Sequence, residues 1–225
     1  MAPQQKRKRS ALVQNVDVAE MGACDLNLSA MTELDSGSHV AWLNFSHSNG
    51  DRISSWDLGE ARLIRLEHQA NPQKGPPRTA VSFVVETKSN ACRNVNKLVS
   101  ALAGLPQLSS AKNVVAPFRD DQESGSLYLN CNVYDGAKQP LLVKNSKGRV
   151  VDLLSLSTGS IVSLEKVAIN CVTLYTNNDD ELTLSVKANP KFIRVVQAND
   201  GMSKSERKQI GKAQTLSVAD MLKDN

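Results

Sequence analysis

Alternating hydrophobic and polar residues run through most of the chain and predict β-strands. Segments with this pattern are residues 25–34, 39–46, 53–58, 60–68, 79–86, 126–134, 140–154, 159–176, 181–188 and 191–198. Successive side chains of a strand point to opposite faces, so alternation is typical of a sheet with one buried face. Asn49-Gly50 follows the second segment and predicts a type I′ hairpin turn. The chain is therefore predicted to be mainly β.

A helical period occurs in one segment before the C-terminal tail. The apolar residues within 95–102 recur at i, i+3, i+4 and i+7, which is the spacing of one helix face. Ser89 or Asn90 is the expected N-cap, and Gly104 followed by Pro106 is expected to end the helix. This pattern predicts one amphipathic helix packed against the sheet.

The long segment 159–176 changes the parity of its apolar residues. Val162 and Leu164 share one parity, whereas Val167 and Ile169 take the other. A bulge or sharp coil near Glu165-Lys166 would bring all four to one face. Long strands that serve two sides of a small closed barrel behave in this way. A strand buried on both faces is the competing interpretation.

Polar and proline-rich stretches divide the chain. Residues 70–78 contain three prolines and a glycine and predict a linker or long loop. We expect a flexible basic arm at 1–23, N-terminal strands with the proline-rich loop at 24–78, a nucleic-acid-binding barrel at 79–198, and a polar tail at 199–225. Whether residues 25–68 extend the barrel or form a separate domain is open at this stage.

The charge of the chain is concentrated at its start. The net charge is +4, which equals the four charges of the basic arm, Lys6, Arg7, Lys8 and Arg9. The folded body is therefore nearly neutral, so a preference for polyanions must come from local patches or from the arm. A solvated tail, a nuclear-import signal and a grip on phosphates are all compatible with the arm.

The four cysteines favour a reducing, intracellular compartment. Cys24, Cys92, Cys131 and Cys171 form no C-x-x-C pair, so zinc is not expected and free thiols are. No apolar run approaches 18 residues and no secretory pattern follows the N-terminal charges, so we expect no membrane association.

Motifs for catalysis are not found in the sequence. The three histidines, His39, His47 and His68, lie beside neither a cysteine nor a carboxylate in a recognised spacing. There is no nucleophile elbow and no phosphate-binding loop. We expect a protein that is not an enzyme and needs no metal or cofactor.

Residues 127–134 carry the strongest functional signal. Leu127 and Leu129 fall on the core side, and the other face carries Tyr128, Asn130, Asn132 and Tyr134. The six-residue spacing puts the two rings about 20 Å apart along a strand. Exposed rings on a sheet stack on unpaired bases, and amides bind bases or sugars. The competing interpretation covers both rings with a loop, a helix or a second subunit.

Basic residues lie close to these strands in the sequence and could form a groove with the tyrosines. They are Lys138, Lys144, Lys147, Arg149, Lys166, Lys187, Lys191 and Arg194. Lys147 and Arg149 lie at a predicted turn from which they could reach phosphates. Trp42 and Trp56 flank the Asn49-Gly50 hairpin, and we expect core or cross-strand packing for both.

The order of elements from Ala80 onward resembles that of single-stranded DNA-binding proteins of phage replication systems and related DNA viruses. The resemblance rests on "VKNSKG" between two short strands, "TGS" before a long strand, and a final valine-rich strand. It implies an OB-like antiparallel β-barrel with one core-packing helix, here extended by N-terminal strands, and a homodimer or higher oligomer. By position it places Tyr128, Tyr134, Lys144, Lys147, Arg149 and Tyr175 against the nucleic acid.

The ends of the chain depart from that family. Its members carry an acidic C-terminal tail, whereas residues 200–225 hold five Lys or Arg against four Asp or Glu. Recruitment of replication proteins through such a tail is therefore in doubt. The KRKR cluster hints at a eukaryotic nucleus.

Two functions remain in competition. The first is sequence-tolerant binding of single-stranded DNA, with RNA not excluded, in viral or phage-type replication or recombination. The second is a viral coat protein with a jelly-roll body and a genome-binding arm.

Overall fold

The computed structural model describes residues 13–70, 76–137 and 140–199. Within these ranges the one α-helix is α1 (Ser89–Leu102). The strands are β1 (Val13–Asp17), β2 (Asp25–Leu28), β3 (Thr32–Glu33), β4 (His39–Ser46), β5 (Arg52–Asp57), β6 (Glu60–Gln69), β7 (Arg78–Val85), β8 (Asn113–Val115), β9 (Phe118–Asp120), β10 (Leu127–Tyr134), β11 (Leu142–Lys144), β12 (Ile161–Ala168), β13 (Cys171–Thr176), β14 (Leu182–Val186) and β15 (Asn189–Gln197). The prediction of a mainly β chain with one helix is confirmed. No helix in these ranges combines the length and hydrophobicity needed to cross a membrane.

The strands curl into an open half-barrel with an OB-like arrangement. On one side β6 pairs with β7, and β7 pairs with β10. On the other side β12 pairs with both β6 and β15, and β15 pairs in parallel with β11. The two ends of this curl, formed by β10 with β9 and by β15 with β11, face each other across a gap without a continuous ladder.

A long bent hairpin joins the half-barrel to a second group of strands. Its arms are β12 followed by β13, and β14 followed by β15. β13 also pairs with β4, and β14 pairs with β8. The first arm bends at Ile169–Asn170, where the Asn170 carbonyl accepts a 3.0 Å hydrogen bond from Leu43 N–H.

The bulge predicted near Glu165-Lys166 is confirmed. In the pairing of β12 with β15, Ser163 lies opposite Arg194 and Lys166 lies opposite Phe192, so β12 carries one extra residue. The extra residue turns the strand over, and the apolar side chains on both sides of it enter the core.

One core fills the curled sheet. Among its largest side chains, Trp56, Phe83, Phe118, Leu129 and Leu164 are almost completely buried. Each contributes roughly 1.5–3 kcal/mol through removal of its apolar surface from water. The apolar stripe of α1 packs against the same core, as its periodicity predicted.

The N-cap prediction for α1 is wrong. Lys88 occupies the cap position without a side-chain hydrogen bond to the helix, and Ser89 is already helical. Lys88 Nζ instead forms a 2.5 Å ion pair with Asp17 Oδ2, and its distance to Asp57 Oδ1 is 3.9 Å. The hydrogen bond from Lys88 holds the pKa of Asp17 below its usual 3.8. This ion pair ties the start of the helix to β1, and its contribution to stability is present above that usual pKa and lost as the pH falls further.

The β4–β5 hairpin is confirmed, but its turn is not type I′. Among the described residues Asp180 is the only non-glycine with a positive φ, whereas type I′ requires one at both Asn49 and Gly50. Gly50 N–H donates to His47 O at 2.8 Å, and His47 N–H donates to Asp51 O at 2.9 Å. These bonds define a type I turn followed by a bulge, in which Gly50 alone takes the positive φ of 85°.

The N-terminal strands are hydrogen-bonded to the later ones, since β4 pairs with β13 and β6 pairs with β12. Residues 13–23, assigned from the sequence to the basic arm, form β1 and a short 3-10 helix, Val18–Ala23. Residues 1–12 and 200–225 lie outside the described residues. The domain boundaries drawn from the sequence stay a prediction.

Candidate nucleic-acid interface

The outer face of β10 presents the predicted aromatic and amide side chains. We call Tyr128, Asn130, Asn132 and Tyr134 the tyrosine face. Leu127 and Leu129 are buried on the opposite side, Tyr128 is half-buried, and both asparagines are exposed. Tyr134 is 41% exposed. The predicted alternation is therefore confirmed, and the phenol at the end of the strand is open to solvent.

Arginines from the neighbouring strands flank this face. Arg119 of β9 lies opposite Tyr128, and Arg78 of β7 lies opposite Tyr134. Two strands away from β10, Arg62 and Arg65 of β6 are exposed on the same side of the sheet. Sequence reasoning missed these four arginines. They are dispersed over three strands in the sequence, and only the pairing of those strands brings them together.

The charges of these arginines are compensated to different degrees. Arg62 forms a 3.2 Å ion pair with Glu86, and Arg65 pairs with Glu67. Arg78 Nε donates a 3.1 Å hydrogen bond to the neutral Gln69 Oε1, which orients the guanidinium and leaves its charge uncompensated by that bond. Arg78 therefore offers a fixed positive charge beside the most exposed tyrosine.

The helix α1 positions β9 through one amide side chain. Asn96 Nδ2 donates to the Phe118 carbonyl at 2.6 Å, and Asn96 Oδ1 accepts from Phe118 N–H at 3.2 Å. This amide substitutes for a partner strand at Phe118. Arg93 forms a bidentate contact with Asp120, in which Nε donates at 2.8 Å and Nη2 donates at 3.3 Å. Together these contacts fix both ends of β9 and so the strand position that carries Arg119.

A groove of about 510 Å³ opens between the edge of β10 and the end of β14. β9 pairs with β10 only over residues 127–129, so the rest of that edge of β10 has no ladder partner in this part of the structure. The groove is lined on one side by Asn130, Asn132 and Tyr134, and on the other by the exposed Lys187. Three residues of the tyrosine face and one predicted cation thus share a concave site.

The groove continues past Tyr134 toward β15. A second depression of about 270 Å³ shares Asn132 and Tyr134 with the first, and Lys191 lies on its far side. Both depressions follow the gap between the ends of the curled sheet. An extended ligand lying along this gap would contact the Tyr134 ring, the asparagine amides, and the ammonium groups of Lys187 and Lys191.

The thiol beside this groove is not suited to chemistry. Cys131 lines the groove, and burial raises the pKa of its thiol to about 12. It therefore stays protonated at neutral pH, whereas a nucleophile needs the thiolate. Among the described residues no group of three or more potential metal ligands comes together.

Three of the predicted cations lie on a different surface. We call Lys144, Lys166 and Arg194, together with Phe192, the lysine face. Lys166 lies opposite Phe192 on β15, and Lys144 lies opposite Arg194. The Lys144 ammonium stands 5.8 Å from the centre of the Phe192 ring, and Arg194 is ion-paired with Glu165. None of these four residues lines either of the two depressions beside the tyrosine face.

Lys147 and Arg149 are exposed in the turn after β11, as the sequence predicted. Asn145 Oδ1 accepts hydrogen bonds of 3.0 Å from both of their backbone N–H groups. Gly148 takes a positive φ of 76° in this turn. The turn is thus well defined, and its contact with phosphates stays a prediction.

The remaining predicted residues are dispersed. Tyr175 is half-buried on β13, opposite Thr183 of β14, and so lies outside the tyrosine face. Lys138 and the basic arm, Lys6, Arg7, Lys8 and Arg9, lie outside the described residues. Their roles in binding stay predictions.

Comparisons with known proteins give distant structural neighbours. No family model matches the sequence, and no curated protein matches it. The structure of gp2.5, a single-stranded DNA-binding protein of bacteriophage T7, is 14% identical over 67% of this chain and 90% of that chain, with a TM-score of 0.42. The single-stranded DNA-binding protein of bacteriophage Enc34 is 11% identical, with a TM-score of 0.35 over 82% of this chain and 99% of that chain. A C-terminal truncation of the Enc34 protein is also 11% identical, over 79% and 98% of the two chains, with a TM-score of 0.38. These values assign no family, and the function proposed below rests on the surface of this chain.

Proposed function

We propose that this chain binds single-stranded nucleic acid, preferentially DNA, and catalyses no reaction. The observation that carries the proposal is the tyrosine face. It places an open phenol and two exposed amides on one edge of a groove whose other edge holds Lys187. Rings, amides and cations along one groove are the groups that unpaired nucleotides require.

Binding divides into two physical contributions. Stacking of a base on Tyr134 or Tyr128 supplies about 1–3 kcal/mol per base and depends little on base identity. Lys187, Lys191 and Arg78 neutralise phosphates and release counterions, so affinity falls as salt rises. Asn130 and Asn132 add hydrogen bonds to bases or sugars. The combination gives binding that tolerates many sequences.

The groove favours single strands over duplexes. A phenol at the edge of a strand can stack only on a base whose face is open, whereas the faces of duplex bases already stack on each other. The near-neutral body of the protein supplies too few charges to hold a duplex by phosphates alone. Duplex DNA is therefore expected to bind more weakly.

The biological setting follows from the sequence resemblance. We place the chain in viral or phage-type DNA replication or recombination, acting in a reducing intracellular compartment as a homodimer or higher oligomer. A nuclear location would use the KRKR cluster. The structure gives no support to the coat-protein alternative. Along the chain α1 follows β7 and precedes β8, and it packs against the core, whereas a jelly roll has no helix at that point.

The decisive experiment removes both rings of the tyrosine face. A labelled 16-nucleotide oligonucleotide is titrated by anisotropy with the full chain and with the double variant Tyr128→Ala, Tyr134→Ala. Since one stacked base is worth about 1–3 kcal/mol, or about 5- to 150-fold, we expect a loss of at least about 30-fold. Phe192→Ala, a ring of the lysine face, is the matched control and should change the affinity less than about threefold.

Further arms of the same titration define the ligand. Duplex DNA should bind more weakly than the single strand at both a low and a high salt concentration, and an RNA oligonucleotide ranks RNA against DNA. Normal binding by a double-tyrosine variant that melts like the wild type would show that the tyrosine face is not the site. Large particles in size-exclusion chromatography would favour a coat protein instead.

A further inference from the structure

Trp42 is exposed, although a tryptophan in a strand is expected to pack. Its side chain is 52% exposed, whereas Trp56 is 1% exposed and packs edge-on against Phe45 at 5.1 Å. The expected packing is therefore confirmed for Trp56 and wrong for Trp42. A large ring left half in water forgoes part of the stabilisation that its burial would give.

The backbone beneath Trp42 is rigidly held. On one side Trp42 N–H donates to Ser29 Oγ at 2.9 Å, and the Trp42 carbonyl accepts from Ser29 N–H at 3.0 Å. On the other side β4 pairs with β13, with Trp42 directly opposite Cys171. The ring therefore projects from a strand that is paired along both edges.

Polar and apolar side chains together line a groove of about 450 Å³ that contains the ring. The wall includes Asn44, Asn170 and the exposed Arg52, besides Trp42 itself. This groove offers one large ring, two amides and one guanidinium. It repeats the side-chain chemistry of the groove beside Tyr134, on the other group of strands.

The pairing of strands links the two grooves. Val172 lies opposite Val186, so the next pair in the same register is Cys171 and Lys187. Residues opposite each other in a sheet point to the same side, so Trp42, Cys171 and Lys187 form one row across β4, β13 and β14. Burial raises the pKa of Cys171, while its hydrogen bond with Thr173 and the charge of Lys187 lower it, consistent with Lys187 lying nearby.

The row brings the ring within reach of the proposed ligand. Lys187 lines the groove of the tyrosine face. Two strand spacings separate the backbone of Lys187 from that of Trp42, or about 10 Å. We propose that Trp42 is a second base-stacking platform, so that a single strand leaving Tyr134 crosses Lys187 and stacks on Trp42. This inference rests on the proposed function and extends its track onto the second group of strands.

Tryptophan fluorescence tests this inference separately from binding itself. The full chain is titrated with unlabelled oligothymidylates of 16 and 4 nucleotides, while labelled oligonucleotides report binding by anisotropy. Because Trp56 is buried, quenching by a stacked base must come from Trp42. We expect quenching that follows the anisotropy curve of the 16-mer, and its loss in Trp42→Phe.

Affinity supplies a second readout. Trp42→Ala should weaken the 16-mer about 5- to 150-fold, the value of one stacked base. A 4-mer held in the groove beside Tyr134 should lose less than about threefold. Trp42→Phe should recover part of the loss for the 16-mer. Tyr134→Ala is the control, since saturating 16-mer should still quench Trp42 in it.

Each contrary result has a distinct meaning. Binding of the 16-mer without quenching, and with unchanged affinity in Trp42→Ala, overturns the second platform and leaves the proposed function intact. No binding by anisotropy overturns both. A change of oligomeric state in Trp42→Ala, measured by sedimentation and without loss of affinity in the surviving species, would assign Trp42 to contact with a second copy and overturn the platform.

Discussion

The cations beside the tyrosine face lie in different surroundings from those of the lysine face. On the lysine face Arg194 is ion-paired with Glu165, and the Lys144 ammonium lies near the Phe192 ring. Beside the tyrosine face, Arg78 donates a hydrogen bond to the neutral Gln69 amide, and Lys187 is exposed on the wall of a groove. Arg62 and Arg65 beside the tyrosine face also contact carboxylates, so ion pairing alone does not distinguish the two surfaces.

The difference between the faces is one of geometry and competition. A phosphate at the lysine face must compete with a carboxylate that is already in contact with the guanidinium, and exposed ion pairs are weak but still lower the net local charge. At the tyrosine face a phosphate meets cations at the rim of a concavity whose other wall holds a ring. We therefore expect the groove, more than the number of basic residues, to determine where a single strand binds.

The largest expected effect comes from matched charge reversals on the two faces. Arg78→Glu with Lys187→Glu changes the net charge by the same amount as Lys144→Glu with Lys166→Glu. The first pair should weaken a 16-mer about 30-fold or more at low salt, and the second about threefold or less, because only the first reverses cations beside Tyr134. Anisotropy titrations measure both, and equal losses would show that the two faces bind alike.

A smaller effect is expected from Asn96→Ala, which acts on the tyrosine face through β9. The change leaves the N–H and carbonyl of Phe118 without the Asn96 amide. The free energy of unfolding in urea should fall by about 1–3 kcal/mol, and hydrogen exchange should quicken in β9 but not in β15. Oligonucleotide affinity should fall several-fold, since Arg119 lies opposite Tyr128.

The control for this change is Ser100→Ala on the same helix, where an exposed hydroxyl bonds the Asn96 carbonyl. It should alter stability by less than about 0.5 kcal/mol. If Asn96→Ala loosened β9 in hydrogen exchange yet left affinity unchanged, β9 and Arg119 would have no part in binding.

The smallest expected effect is a gain in oligonucleotide affinity from a change on the lysine face. Glu165→Gln releases Arg194 from its carboxylate partner and should tighten 16-mer binding about two- to threefold at low salt. Glu33→Gln, on the exposed strand β3, makes the same change in net charge and should have a smaller effect. A gain equal in both variants would trace it to net charge rather than to the release of Arg194.

Local pattern predicted much of the architecture. The alternation in residues 127–134 fixed which side chains of β10 face outward, because a strand has only two faces. The parity change in residues 159–176 identified the bulge, because one extra residue is the smallest defect that reverses a face. Both signals lie within a single element, where the sequence order is also the spatial order.

What the sequence did not predict depends on neighbours from distant elements. Arg62 and Arg119 are 57 positions apart, and they flank the tyrosine face only because β6, β7, β10 and β9 pair in that order. Trp42 is exposed because β13 pairs with one edge of β4 and does not cover the outer face of β4. The cap at Lys88 was missed because its partner, Asp17, lies outside the helix.

The bent hairpin formed by β12–β13 and β14–β15 sets a fixed distance in this molecule. Its two arms run through both groups of strands, with Trp42 on β4 paired to one arm and Tyr134 on β10 across a groove from the other, so the spacing of the two rings follows from the position of the hairpin. A single strand that stacks on both rings must bridge the distance between Tyr134 and Trp42 with a whole number of nucleotides. Occupancy should therefore rise in steps as the ligand is lengthened, and the position of the step would measure the contour of the bound chain.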